Sequence, residues 1–179
     1  MLSFETVALI NYWLAVGTVG MQIAILLAVI FLLLPQTRAK TLSFFGQYGL
    51  LIALAMAVGS SCLSLFYSNI VGYEPCNLCW WQRISIYPQI IILSVGLWLK
   101  DSKVVYYALP LLGAGLLFSL YQVSMQFGLV PGEFCVVRGV SCTKQYVFEF
   151  GYVTVPIMAL TSFAVMIGSL IGYHYGKKV

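Results

Sequence analysis

Five stretches of the chain carry no Asp, Glu, Lys or Arg: Thr6–Thr37, Thr41–Tyr73, Ile84–Leu99, Val104–Gly132 and Phe150–Tyr173. A helix that crosses a bilayer needs about 20 apolar residues, with about 17 as the lower bound. Four runs exceed that bound directly. The third reaches it by taking in Leu78, Cys79, Trp80 and Trp81. The runs are solidly apolar and do not alternate, which favours helices over a barrel. The pattern predicts five transmembrane helices, near 12–34, 43–67, 79–99, 104–128 and 152–173. The expected fold class is therefore an all-α membrane protein.

Composition closes off the other classes. Sixty-one per cent of the residues are hydrophobic and 8% are charged, against about 25% charged in soluble domains. Too few polar side chains exist to cover a water-soluble globule of 179 residues. Disorder requires the opposite balance. The net charge of +4 is scattered singly or in pairs between the apolar runs, so no nucleic-acid partner is expected. The first run has no basic residue ahead of Arg38 and is too long for a signal peptide, so it is expected to remain in the mature protein.

Orientation follows from the basic residues. Arg38, Lys40, Lys100, Lys103, Lys177 and Lys178, six of the nine, fall on one side of a five-helix arrangement. The positive-inside rule makes that side cytoplasmic. Arg83, Arg138 and Lys144 fall on the other side, with Glu5, Glu74, Glu133 and Glu149, but acidic residues carry little topological weight. The N-terminus is expected outside and the C-terminus inside, with outer loops at about 68–78 and 129–151. Gly168 and Gly172 have a spacing that suits close helix packing, and His174 reads as a solvated interface residue.

This topology, argued without the cysteines, places four of the five in the outer loops. They form two pairs, Cys76-x-x-Cys79 and Cys135-x6-Cys142. Outward-facing thiols lie where disulfides persist. Two permanent staples are one reading, although a ring as small as Cys-x-x-Cys stabilises little. A four-cysteine metal site is a second, but the second pair is spaced too widely for a zinc knuckle. Redox chemistry is the third, since Cys-x-x-Cys lowers one thiol pKa and lets the pair open and close.

The surroundings favour the third. Cys79 is expected to begin the third helix, facing its unpaired N–H groups and dipole. Arg83 lies one turn further on the same face, where an ionisable group inside a membrane segment marks a functional site. Snorkelling to the headgroups is the plainer account of Arg83, but for an outer-side arginine against the positive-inside trend the functional reading ranks above it. Trp80 and Trp81 read as interfacial anchors or as one wall of a flat aromatic site. Cys62, deep in the second helix, reads as a small buried hydrophobe outside the mechanism.

Two pairs at one membrane face form a relay if a disulfide passes from pair to pair by thiolate attack. The two electrons must then leave to something other than a thiol. The chain has no G-x-G-x-x-G fingerprint and no C-x-x-C-H haem attachment. A lipid-soluble quinone beside Cys79 and Arg83 fits, with the cation stabilising developing negative charge.

The stretch Pro75–Pro88, PCNLCWWQRISIYP, resembles the DsbB family of disulfide-bond formation proteins, and especially its short-loop BdbC-like branch. Ser141–Tyr146, SCTKQY, and Phe150–Pro156, FGYVTVP, are a second match, and the Cys-x-x-Cys comes first, as in that family. The resemblance covers about residues 43–173. It implies a four-helix bundle over 41–179, with residues 1–40 as an extra N-terminal transmembrane helix. It also implies a thiol oxidase of a prokaryotic cytoplasmic membrane that reoxidises a DsbA-like thioredoxin-fold protein and passes electrons to ubiquinone or menaquinone. Cys135 would meet the partner's cysteine, Cys142 would exchange with Cys76, and Cys79 would contact the quinone beside Arg83 and Trp80. The resemblance further favours a surface-lying segment at 142–150, holding Cys142 near Cys76 and leaving Cys135 reachable. The rivals are a structural membrane protein with two permanent disulfides and a metal-binding one.

A tag placed at the N-terminus should be labelled by a membrane-impermeant reagent added outside the cell. Protection of that tag would reduce the crossings to four.

Overall fold

The computed structural model describes residues 3–131, 135 and 141–178. Glu133 and Arg138, two of the charges used to orient the chain, lie outside the described residues. Five α-helices follow in order: α1 (Phe4–Leu33), α2 (Pro35–Leu65), α3 (Asn77–Trp98), α4 (Val104–Gln126) and α5 (Val155–Gly176). A π-helical turn, Phe66–Ile70, prolongs α2. Helices α2 to α5 close a four-membered ring, α2 against α3, α3 against α4, α4 against α5 and α5 against α2. Helix α1 lies outside the ring, against α2 and α5. The fold is an all-α membrane bundle of four helices with one extra N-terminal helix.

Among the described residues, four helices are long and apolar enough to cross a membrane: α1, α2 with its π-helical extension, α4 and α5. Helix α3 is as long as α5, 22 residues, but carries Gln82, Arg83, Ser85 and Gln89. These polar groups turn inward. Gln82, Ser85 and Gln89 are buried, and Gln89 Nε2 donates to the Ala108 carbonyl at 3.3 Å. A lower hydropathy is therefore compatible with a place among the membrane helices, since the polar atoms meet protein and not lipid.

Several boundaries differ from the sequence reading. Helices α1 and α2 are joined by Leu34 alone, where a loop of several residues was expected. Pro35 sits at the first positions of α2, where its missing N–H costs nothing and its fixed φ suits a helix. Arg38 and Lys40 thus ride on the first turns of α2. Helix α3 starts at Asn77 with Cys76 as its N-cap residue, so Cys79 lies inside the first turn and does not begin the helix. Helix α4 ends in a Schellman motif. Gly128 takes φ +72°, and the N–H groups of Gly128 and Leu129 donate to the carbonyls of Met125 and Ser124. Residues 142–150 form no helix; the segment is irregular, with one antiparallel bridge between Glu149 and Val153. Its aromatic residues alternate with polar ones, so no apolar helical stripe exists to lie on a surface.

The closest helix pair is α2 with α5, and small residues permit it. A Cβ on Gly49 would strike the Ser169 carbonyl, one on Gly46 would lie 2.7 Å from Gly176, and one on Gly172 2.7 Å from Phe45. The expected role for Gly168 does not hold, because a Cβ there would meet nothing within 4 Å. His174 is half-buried, its ring set edge-on to Tyr106 at 5.5 Å, and is less solvated than expected. Cys62 is exposed on α2 and is not the buried hydrophobe expected, because its neighbour Ser61 takes the inward-facing position.

Replacing Gly49 with Val should force α2 from α5. Overpacking of this kind costs ~1–3 kcal/mol, and a lower unfolding midpoint in detergent checks it. Gly168→Ala should leave the midpoint unchanged.

Candidate active site

Cys76, Cys79, Cys135 and Cys142 meet at one end of the bundle. Cys76, Cys135 and Cys142 are buried in a single cluster with Leu78 and Met125, and Cys79 packs against it. The chain reaches this arrangement from two directions. The first loop is only 71–76, because the π-helical turn carries α2 as far as Ile70 and Gly72, at φ +83°, reverses the chain. The second loop leaves α4 at Gly128 and returns at Thr154, whose hydroxyl donates to Gln126 Oε1 at 2.8 Å. Tyr146 then ties the loops together. Its ring stacks on Tyr73 at 4.4 Å, and its hydroxyl donates to the Glu74 carbonyl at 3.3 Å.

The two pairs are in different states. Cys135 and Cys142 are joined as a disulfide, with Cα atoms 5.7 Å apart. Cys76 and Cys79 are thiols whose sulfurs lie 3.0 Å apart. The hydrogen bond to Cys79, followed by burial, pushes the Cys76 thiol far above the usual cysteine range, so Cys76 keeps its proton. Gln122 on α4 serves both sulfurs. Its Nε2 lies 3.2 Å from Cys76 Sγ and 3.6 Å from Cys79 Sγ. Gln82 Nε2 donates to Gln122 Oε1 at 2.9 Å, which fixes the amide with its N–H groups toward the sulfurs. The sequence reading missed both glutamines. The signal was present, since Gln82 interrupts the Cys79–Arg83 turn and Gln122 and Gln126 interrupt a charge-free run four residues apart.

Arg83 is held against α2. Its Nε donates to Ser64 Oγ at 2.9 Å and its Nη2 to the Ser64 carbonyl at 3.1 Å. That carbonyl stands just before the π-helical turn, where the regular ladder of α2 gives way. The Trp80 ring lies over the guanidinium, 5.1 Å from its carbon. Trp80 and Trp81 are otherwise half-exposed on the outside of α3, and Trp81 stacks with Phe118.

Cys79, Arg83 and Gln122 all face one cavity of about 160 Å³, whose far wall is formed by Ile86, Ala159 and Phe163. Trp80 does not line it; its ring backs Arg83 from outside. The cavity offers apolar walls, a cation, an amide donor and a sulfur. That set suits a flat, neutral, oxygen-bearing ring such as a quinone head. Cys142 lies near Cys76 as expected. Cys135, expected to be reachable, is 5% exposed, because the disulfide draws it into the same apolar cluster.

Comparisons with known proteins agree with this geometry. The profile of the family described as "Disulfide bond formation protein DsbB" matches residues 46–171. The chain is 38% identical over 122 residues to "Probable disulfide formation protein C 2" of Bacillus cereus, covering 68% of this chain and 87% of that one. It is 36% identical over 131 residues to "Probable disulfide formation protein" of Chlamydia pneumoniae, covering 73% and 94%. It is 39% identical over 105 residues to the "SPbeta prophage-derived disulfide bond formation protein B" of Bacillus subtilis, covering 59% and 71%. No solved structure matches it at a significant level. With two cysteine pairs packed together at one end of a membrane bundle, the chain belongs to the DsbB family of disulfide bond formation proteins.

Proposed function

We propose that this disulfide oxidoreductase is quinone-dependent and reoxidises a DsbA-like thioredoxin-fold partner, with electrons passing from Cys135/Cys142 to Cys76/Cys79 and on to ubiquinone or menaquinone. The observation that carries the reading is the meeting of both cysteine pairs beside an apolar cavity that Cys79 and Arg83 share. The basic residues at the opposite end support a cytoplasmic membrane location with the cysteine loops outside. Residues 41–179 are proposed as the working unit, with residues 1–40 as an addition to it.

The steps balance. The partner's dithiol attacks the Cys135–Cys142 disulfide through Cys135, leaving the partner oxidised and both loop cysteines as thiols. This requires the loop to open, since Cys135 is buried. Cys142 sulfur then attacks Cys76 sulfur in the Cys76–Cys79 disulfide. The bond to Cys79 breaks, and Cys79 leaves as a thiolate at the N-terminal turn of α3, beside the Gln122 amide. Cys135 attacks Cys142 and releases Cys76, and the two protons lost by Cys142 and Cys135 as they attack pass to Cys79 and Cys76. The products are the Cys135–Cys142 disulfide and two thiols at Cys76 and Cys79, the state of the structure. A quinone held in the cavity would take two electrons and two protons from that pair. Arg83, held by Ser64, would point positive charge at a ring oxygen, and Cys79 would face the ring. The rival reading of two permanent disulfides leaves the Cys76 and Cys79 thiols, and the amide aimed at them, without a purpose.

Mixing the protein with a reduced DsbA-like protein and following quinone absorbance tests the reading. Cys76→Ser, Cys79→Ser, Cys135→Ser and Cys142→Ser should each abolish quinone reduction, and Cys62→Ser should retain it. Quinone reduction that persists in a Cys142→Ser protein would overturn the relay.

At saturating partner, Arg83→Gln should slow quinone reduction by ~100–1000-fold, the usual loss for one such donor, or raise the Michaelis constant for quinone. Arg83→Lys keeps the charge without the forked geometry and should be milder. Wild-type quinone kinetics in a folded Arg83→Gln protein would make Arg83 a helix anchor only.

A further inference from the structure

Helix α1 precedes the matched family region, residues 46–171, and the relay makes no use of it. Its inner face is unexpected for so apolar a helix. Asn11, Ala15 and Thr18 are its buried residues, and Gln22 continues the same stripe. Polar side chains at positions 11, 18 and 22 share one face at helical spacing. A helix that only anchors a chain in lipid needs no such stripe.

The contacts of this face lead to the redox loops. Asn11 Oδ1 accepts a buried hydrogen bond from the Tyr67 hydroxyl at 2.8 Å. The Tyr67 ring stacks on Tyr73 at 5.4 Å with 7° between planes, and Tyr73 stacks on Tyr146 at 4.4 Å. Tyr73 stands three residues before Cys76, and Tyr146 four residues after Cys142. A continuous column of three rings therefore runs from α1 across the first loop to the second. Two further contacts grip the end of the second loop. The Tyr12 ring lies 5.6 Å from Phe150, and the Tyr152 hydroxyl donates to Gln22 Oε1 at 2.7 Å. Gln22 Nε2 in turn donates to Thr161 on α5 at 3.1 Å, which fixes the amide.

We infer that α1 is a positioning element for the exchange between the cysteine pairs, acting through the Asn11–Tyr67–Tyr73–Tyr146 column. The inference rests on the relay proposed above. Exchange by thiolate attack requires the Cys142 and Cys76 sulfurs to be brought into line, and small displacements of reacting atoms are costly. The loops that carry them have little regular structure of their own. Asn11 fixes the Tyr67 hydroxyl and thereby the base of the column. Without that acceptor the hydroxyl is a buried donor lacking its partner, and the ring must turn to find another.

The test uses the full chain in detergent, fully reduced and mixed with excess quinone. Samples are quenched with a thiol reagent and the disulfides are assigned by mass. In the wild type the Cys76–Cys79 disulfide forms first, at the expense of quinone, and then passes to Cys135 and Cys142. Asn11→Leu should leave the first step at the wild-type rate and slow the second on the order of tenfold, as befits loss of one buried hydrogen bond. Tyr67→Phe should slow the second step to the same degree. The double variant should be no slower than either single one, since both remove the same bond. An unchanged second step in Asn11→Leu overturns the inference. So does equal slowing of both steps: Tyr67, Tyr73 and Tyr146 also line the cavity beside Cys79 and Arg83, and α1 would then serve the quinone site or the bundle at large and not the exchange. A wild-type protein that forms no disulfide with quinone refutes the relay itself, and the positioning role falls with it.

Discussion

Every polar group inside a bilayer must find its partner within the protein, because lipid offers none. The rest of this structure depends on that constraint. Buried serines and threonines such as Ser85, Ser119 and Ser162 bond the carbonyl one turn back in their own helix, and several of the larger polar residues converge on the cysteine end. Gln82 holds Gln122, Gln122 serves the Cys76 and Cys79 sulfurs, Ser64 holds Arg83, and Asn11 holds Tyr67. Each pairing joins two different helices near the cysteine end of the bundle. These pairings between helices build the site, while others, such as Gln89 with the Ala108 carbonyl and Gln22 with Thr161, tie the bundle together elsewhere.

The same constraint shapes the chemistry. A sulfur in an apolar cluster is a poor place for a negative charge, and the hydrogen bond to Cys79, followed by burial, raises the Cys76 thiol. The protein offsets this on the other side of the pair with an amide donor and the first turn of a helix. The two thiols of one short motif are therefore unlike. Cys76, the N-cap residue, keeps its proton, while Cys79 sits where a thiolate is best tolerated. An exchange that enters at Cys76 and leaves at Cys79 follows that asymmetry. The Cys135–Cys142 disulfide shares the cluster, which shields it from water.

Much of this was legible in the residues. The charge-free runs specify membrane helices, since period and length leave few alternatives. The two cysteine pairs fall into the same outer region by topology alone, and the motif at Pro75–Pro88 resembles one family. Arg83 stood out as an ionisable residue within a membrane segment. Other features were harder to read. Gln122 lies 43 residues from Cys79 along the chain, and no local pattern joins them. The polar stripe of α1 was visible as Asn11, Thr18 and Gln22 at helical spacing, but an apolar run of that length hides three polar residues in its average. Cys62 and Gly168 were misjudged for one reason: a lone residue on a transmembrane helix does not reveal which side faces lipid.

The sequence by itself determined the secondary structure, the membrane setting and the residue types available for redox chemistry. These follow from local composition and periodicity, which act over one or two helical turns. Only the tertiary structure decided which faces meet. It set α1 outside the ring of four helices, turned Arg83 onto Ser64, and aligned three tyrosines between α1 and the second loop. It also brought the two cysteine pairs into one buried cluster. Those outcomes depend on the close approach of α2 and α5 at their glycines and on hydrogen bonds between residues far apart in the chain. Such contacts are fixed by the packing of the whole bundle, and no single segment carries the information.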